Sequence, residues 1–318
     1  MSWDESREQV AAAHADLCDG GLITPVDGDE DAVRSWQNHD ISSFVEHRLG
    51  FEVDPVGLSE PLRSDLMRRA TDEYELPSPR NGYTIPYWLR ADGETVGTVA
   101  LATSSIGSNS LSLSSLHVRR EHRRRGHARR AVRGVNSAAQ RAGLSGIELS
   151  TSWCWQPAVA LYLGLSMWVR MWKRDLKLIS RTHLPRWLLE VEGDEARFRV
   201  VLDGGRPSPP LIVARRRGDR LDWTELDAAP ELDELRYEAP GTFALALAVR
   251  GWPLITSDAA WQRQCELGFS DGGGPEGLAF KIMRWEAWDR RRGYRVDTPR
   301  IPGLEYPSWK QMYPDDED

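Results

Sequence analysis

Cysteine is scarce in this chain of 318 residues, with Cys18, Cys154 and Cys265 the only three. They are odd in number and far apart, and no C-x-x-C pair occurs, so the sequence offers neither a disulfide framework nor a zinc site; no metal is expected. A reducing, cytoplasmic compartment is the expectation. Long apolar runs are also missing: none approaches the roughly 18 residues of a membrane span, and no membrane partner is expected. The opening stretch, MSWDESREQV, is polar and acidic, unlike a signal peptide. Net positive charge is lacking too, since 41 Lys and Arg face 48 Asp and Glu, and the closing PDDED is acidic. Such a balance argues against a general nucleic-acid binder, whose affinity rests on neutralising phosphates. It suits a cationic small substrate better. Tryptophan, by contrast, is plentiful at 14 residues, expected mostly in core and pocket walls. The length fits one large domain or two ordinary ones.

Periodicity gives an α/β (α+β) reading. Residues 4–18 form a short helix ending at Gly20-Gly21, and LITPV (22–26) a short strand. DGDEDAVRSW supplies acidic residues at a helix start, with more helix over 38–75 broken between Gly50 and Gly57. After the LPSPRNG loop (76–82), two alternating runs meet at Asp92-Gly93, a favoured tight turn, and so form a hairpin. The strand LSLSSLHV (111–118) follows. Ala128, Ala131, Val132, Val135, Ala138, Ala139 and Ala142 then recur at helical spacing, a stripe of small residues that lets a helix lie close on a sheet. Gly143 ends it, GIELST (146–151) is a strand, 156–164 a short helix, and 166–179 a long strand or hairpin. Beyond SRTHLPR (180–186) the texture changes to strands WLLEVE, RFRVVLD and PPLIVARRR. The segments TFALALAVRG and DAAWQRQCEL follow as helices, and GLAFKIMRW as a last strand. This places one domain at 1–182, with an N-terminal helix, and a smaller α+β domain at 183–318 with a Pro-rich acidic tail.

The charge is unevenly spread. RREHRRRGHARRAVR packs eight arginines between Arg119 and Arg133 around the single Gly126. A basic run is commonly a solvated helix face or a nucleic-acid patch. No aromatic residue interleaves this one, which counts against stacking on single strands. Its setting between a strand and a helix points to a third role. A loop there presents unpaired N–H groups reinforced by the helix dipole, a ready anion site. Gly126 lets backbone approach a ligand closely, Ala128 keeps the helix start small, and Arg123, Arg124 and Arg125 can add charge-assisted bonds to phosphate oxygens. The excess at Arg129, Arg130 and Arg133 reads as a solvated face.

Arg123-x-x-Gly126-x-Ala128 resembles the acetyl-CoA signature R-x-x-G-x-A of the GNAT family of N-acetyltransferases, and the element order over about 20–180 is similar to that family's. The resemblance implies a central mixed sheet flanked by helices, with acetyl-CoA as acyl donor. It implies cofactor contacts from the Arg123, Arg124, Arg125, Gly126, His127, Ala128 and Arg129 loop, and from backbone of Leu116, His117 and Val118, which would pair with the pantetheine arm like an added strand. A later family helix reads N-x-x-A-x-x-x-Y followed by Gly-Phe. Ala158 and Tyr162 hold matching places here, but Trp155 stands for the Asn, and Ser166-Met167 for Gly-Phe.

The implied reaction is direct transfer of acetyl from acetyl-CoA to a primary amine of a small-molecule or peptide acceptor. Tyr162 is the candidate acid for the departing thiolate; its alternative is an amphipathic core residue. The base is not readable: the strand before the loop offers Ser112, Ser114, Ser115 and His117 but no carboxylate, and Glu148 lies on the next strand. DEYE (72–75), Tyr83, Tyr87, Trp88, Trp153 and Trp155 are available as acceptor walls, acidic and aromatic as a cation requires. The departures at Trp155, Ser166 and Met167 keep a non-catalytic, CoA-sensing or interaction protein open beside the enzyme; nucleic-acid binding through Arg119–Arg133 ranks below both, and a homodimer is compatible. Leu267-Gly268-Phe269 faintly resembles the closing part of the same family, but 187–318 holds no second R-x-x-G-x-G/A loop; this leaves a degenerate second half of that kind or an unrelated α+β domain, and the latter is the expectation because LGF is common at any helix-to-strand corner.

Overall fold

The computed structural model describes residues 3–26, 28–49, 84–103, 109–151, 153, 155–172, 176–226, 232, 235, 238–253, 300–302, 306 and 308, without the side chains of 3–7, 41–49, 103, 171 and 172. The chain divides into two compact units, one of Met1–Leu149 with Ser180–Thr182, the other of Ser150–Ile179 with His183–Asp318.

In the first unit the order is α1 (Trp3–Asp19), β1 (Ile23–Pro25), α2 (Glu30–Leu49), β2 (Thr84–Ala91), β3 (Glu94–Thr103), β4 (Leu111–Val118), α3 (His127–Arg141) and β5 (Gly146–Thr151), the last running on into the second unit. Glu30 and Asp31 in the first turn of α2 complement its dipole, as the sequence led one to expect. The Asp92-Gly93 hairpin is formed with both residues at positive φ, which that turn requires. β1 to β4 pair antiparallel in chain order and β4 pairs parallel to β5, making a mixed sheet. The small-residue stripe of α3 is buried at Ala131, Val132, Val135, Ala138 and Ala139. Gly134 lies so near Leu22 that a Cβ there would overlap its side chain. Asp16 of α1 accepts from Arg141 of α3 at 2.5 Å. Gly143, at φ +81°, ends α3. Segment Ser180–Thr182 lies beside the start of β5, where Thr182 N–H donates to the Ser145 carbonyl at 2.9 Å.

In the second unit, α4 (Gln156–Leu163) precedes a hairpin of β6 (Trp168–Trp172) and β7 (Leu176–Arg181), so the 166–179 run resolves as a hairpin. A four-stranded antiparallel sheet follows, in the order β11-β10-β9-β8, from β8 (Trp187–Glu192), β9 (Glu195–Val200), β10 (Ile212–Arg217) and β11 (Arg220–Glu225). Strand β11 is absent from the sequence reading. Its charged residues, RLDWTE, obscured a period-2 pattern in which Leu221 is buried and Trp223 half-buried. The helix α5 (Ala239–Ala248) is buried at every position, and its Phe243 joins an aromatic cluster with Trp168, Trp187, Phe198 and Trp223. Thr242 links α5 to β6 by accepting the Val169 N–H at 2.9 Å. The expected helix DAAWQRQCEL, the strand GLAFKIMRW, Leu267-Gly268-Phe269 and most of the Pro-rich tail lie outside the described residues.

Candidate functional site

Strand β4 is the element around which the site forms. Its pairing with β3 slips between Thr98↔His117 and Ala100↔Ser114, so Ser115 and Leu116 stand opposite Val99 alone. This is a β-bulge, and Ser115 carries the local distortion at φ +49°. Thr98 Oγ1 donates to the Ser115 carbonyl at 3.1 Å and fixes the bulge. Of β4, only Leu111–Leu113 pair with β5 among the described residues. From Ser114 to Val118, β4 has no β5 partner among the described residues, and the two parallel strands part. Leu116, His117 and Val118 lie on this parted stretch, all half-buried. An extended ligand arm can add to such an edge as a strand does.

After β4 the chain turns through a short 3-10 segment, Arg120–His122, into the arginine loop. Arg124 sits at φ +64° and Gly126, the N-cap of α3, at φ +83° and ψ 5°. Among the described residues no side chain caps the helix. The first helical bond runs from the Arg130 N–H to the Gly126 carbonyl at 3.0 Å, so the amides of His127, Ala128 and Arg129 precede the intrahelical ladder. A Cβ on Gly126 would meet nothing within 4 Å, which leaves this corner open to a ligand. The loop thus joins an arginine-rich stretch to the leading N–H groups of α3.

The arginines divide into groups. Arg123 Nε donates to the Val118 carbonyl at 3.0 Å, tying the loop to the end of β4. Arg119 meets His39 Nε2 at 3.2 Å and Arg130 meets His127 Nδ1 at 3.0 Å. Arg124, Arg125, Arg129 and Arg133 are exposed, as is the Arg130 residue as a whole. His127 is buried at the helix start with His122 edge-on to it at 6.2 Å between ring centroids. Burial, with Arg130 and His122 close by, holds its imidazole below the ordinary range.

Two carboxylates differ sharply in surroundings. Glu148, on β5, faces Arg181 at 3.5 Å with both side chains nearly covered, an ion pair opposite Ser112 and short of the bulge. Asp40, on α2, is 5% exposed and accepts from the Ser115 hydroxyl at 3.1 Å. Burial raises its carboxyl to about 7, against the opposing pull of the Ser115 hydrogen bond. Sequence reasoning passed over Asp40. The signal was present: Val33, Trp36 and Asp40 fall at i, i+3 and i+7, so an acid occupies a place on the apolar stripe of α2.

Of the suggested acceptor walls, DEYE (72–75) and Tyr83 lie outside the described residues. Tyr87 is a core residue, 4% exposed, its hydroxyl 2.6 Å from His14 Nδ1 and its carbonyl accepting from the Trp36 indole at 2.9 Å. Trp88 is half-buried and packs edge-on to His39. In the second unit Trp153 is buried and Trp155 is the N-cap of α4. Tyr162, also on α4, is 7% exposed, and burial pushes its phenol up to about 12. Among the described residues its hydroxyl has no hydrogen-bond partner. Among the described residues no cluster of His, Cys, Asp and Glu suits a metal, and no helix is long and apolar enough to cross a membrane.

Residues 54–165 match the family model described as "Acetyltransferase (GNAT) family". Comparison with curated proteins finds no match. Among solved structures, the chain is similar to RimJ of Mycobacterium smegmatis in complex with CoA-disulfide, at 18% identity over 56% of this chain and 78% of that one, with a TM-score of 0.29. It is similar to an acetyltransferase of the GNAT family from Staphylococcus aureus Mu50, at 16% identity over 46% and 81% of the two chains and a TM-score of 0.29. A third similarity is to aminoglycoside 6'-acetyltransferase type Ii, at 13% identity over 50% and 96% and a TM-score of 0.33. The matched span, residues 54–165, holds the bulged, parted β4 and the glycine-started α3, and it is this part of the chain that is similar to the GNAT family of acetyltransferases.

Proposed function

We propose that this protein transfers an acetyl group from acetyl-CoA to a primary amine of a small-molecule or peptide acceptor, in the cytoplasm. The observation that carries the reading is the pairing of the Gly126 corner, open at the N-terminus of α3, with the parted stretch of β4 directly before it. In this reading the pyrophosphate takes the N–H groups of Gly126, His127, Ala128 and Arg129, with charge from Arg124 and Arg125. Arg123 acts chiefly by holding the loop to Val118. The pantetheine arm lies along Leu116, His117 and Val118, and a β4 amide at the bulge polarises the thioester carbonyl.

Tyr162 is assigned the proton for the departing thiolate. A phenol raised to about 12 keeps its proton throughout the physiological range, so it would meet the thiolate as a neutral donor. Residues 1–182 are assigned to the transferase domain and 183–318 to an accessory domain. Acetyl-CoA titrated calorimetrically into the protein tests the reading. Micromolar or tighter binding, abolished by Gly126→Glu, is the expected result; absence of binding, or binding that survives the substitution, overturns it. Binding without CoA release over a broad amine panel would favour the non-catalytic sensor instead.

A further inference from the structure

Acyl transfer to an amine begins with a proton to remove, because an alkyl ammonium group of pKa about 10 is almost wholly protonated at neutral pH. Strand β4, LSLSSLHV, carries no carboxylate to take it. A carboxylate reaches β4 from elsewhere in the fold. Asp40 projects from α2 onto Ser115, the residue at which β4 kinks, two positions past its last partner on β5. The contact is specific: Ser115 Oγ donates to Asp40 Oδ2 at 3.1 Å, while the Ser115 carbonyl is held by Thr98. Arg119, following β4, is engaged with His39, and among the described residues Asp40 has no ion-pair partner.

Burying a carboxylate without a cation is costly and needs a reason. An apolar side chain at this place on the Val33–Trp36 stripe would pack without that cost. Resting on the acyl-transfer reading above, we infer that Asp40 is the general base of this site and that Ser115 positions its carboxylate where β4 turns away from β5. The Asp40 carboxylate accepts one proton from the acceptor ammonium and later releases it to solvent. The freed nitrogen attacks the thioester carbon, so a C–N bond forms and the C–S bond breaks. The second proton leaves the nitrogen and ends on the CoA sulfur, giving amide and thiol. The carboxyl range near 7 suits this task, since a base works best close to the operating pH.

The test is CoA thiol release from acetyl-CoA with spermidine, glucosamine, a dipeptide and a lysine-containing peptide. It compares wild type, Asp40→Asn and Ser115→Ala, with acetyl-CoA affinity measured calorimetrically on each. For any amine that wild type acetylates, Asp40→Asn is expected to lower kcat by about 100-fold or more, with the acetyl-CoA Kd changed less than about threefold. Wild-type kcat is expected to fall on the acid side with a midpoint near neutrality. Asp40→Asn should lose that limb and recover activity only toward alkaline pH, where free amine is supplied by solvent. Ser115→Ala, which removes the bond favouring the ionised carboxylate, should move the limb to higher pH. A merely structural Asp40 would move none of these profiles. An active Asp40→Asn enzyme with the wild-type profile overturns the inference and leaves the acyl-transfer reading standing. Acetyl-CoA binding with no amine turned over by wild type overturns both.

Discussion

Gly97 of β3 and His117 of β4 meet backbone to backbone. A Cβ on Gly97 would overlap the His117 carbonyl oxygen and lie 3.0 Å from the Val118 Cα. This approach lies just past the bulge, where Gly97 pairs with Val118 and Arg119 N–H donates to the Val96 carbonyl at 2.9 Å. Gly97→Ala must therefore push the end of β4 outward, and with it the arginine loop anchored on Val118. The expected outcome is a loss of about 1–3 kcal/mol in denaturant unfolding, and weaker acetyl-CoA binding. Gly134→Ala provides the contrast. Its Cβ meets the flexible Leu22 side chain, not backbone, and should cost less and leave binding nearly unchanged.

Much of this arrangement was legible in the sequence, and the illegible part has a common cause. Local signals were sufficient for the Asp92-Gly93 hairpin, the small-residue stripe of α3, its stop at Gly143 and the Gly126 corner, because each is set by neighbours a few residues apart. The bulge at Ser115 has no such signal. It depends on how β3 and β4 register, and a serine at positive φ looks like any serine in LSLSSLHV. Asp40 belongs to the same class, since its partner lies 75 residues away. Tyr87 shows the opposite error. An aromatic beside a tight hairpin resembles a pocket wall, but its hydroxyl turns inward to His14, 73 residues distant.

Gly126 separates a conformational cost from a ligand cost. At φ +83° an alanine is strained by roughly 1 kcal/mol, and its Cβ finds open space in the free protein. If a pyrophosphate fills that space, the methyl group intrudes on it. Gly126→Ala should thus lower stability by only about 1 kcal/mol. It should weaken acetyl-CoA binding tenfold or more, about 1.4 kcal/mol. Thermal unfolding and calorimetry on the same preparation make the comparison. An affinity loss no greater than the stability loss would show that phosphate does not approach there.

Tyr162 offers a cleaner separation still. Because its hydroxyl has no hydrogen-bond partner among the described residues, Tyr162→Phe leaves no orphaned group behind, and stability should change by less than about 1 kcal/mol. If the phenol protonates the thiolate, kcat should fall by about 100-fold while the acetyl-CoA Kd stays within a few-fold. An unchanged kcat would return Tyr162 to the role of an amphipathic core residue.

His14 and Asp40 give the fold opposing pH responses. His14 is 8% exposed on α1, bonded to the Tyr87 hydroxyl, and burial lowers its imidazole from 6.5 to about 4. The unfolded chain therefore binds a proton that the folded chain refuses. Stability is lost as pH falls below 6.5 and the loss is complete near 4, about 3 kcal/mol in all. Asp40, raised from 3.8 to about 7, acts in the reverse sense: the folded chain takes up its proton first, and stability is gained as pH falls from 7 toward 3.8. The two windows overlap, so the wild-type profile between pH 4 and 6.5 should be flatter than either group alone implies. Removing the opposing group exposes the other. In the Asp40→Asn protein, the unfolding free energy should drop steeply from pH 6.5 to 4. Adding His14→Gln should remove most of that slope, while costing stability at pH 7 if the Tyr87 hydrogen bond is imperfectly replaced. Urea unfolding at half-unit pH steps measures both. A slope in Asp40→Asn that His14→Gln leaves intact would assign the acid sensitivity to a group other than His14.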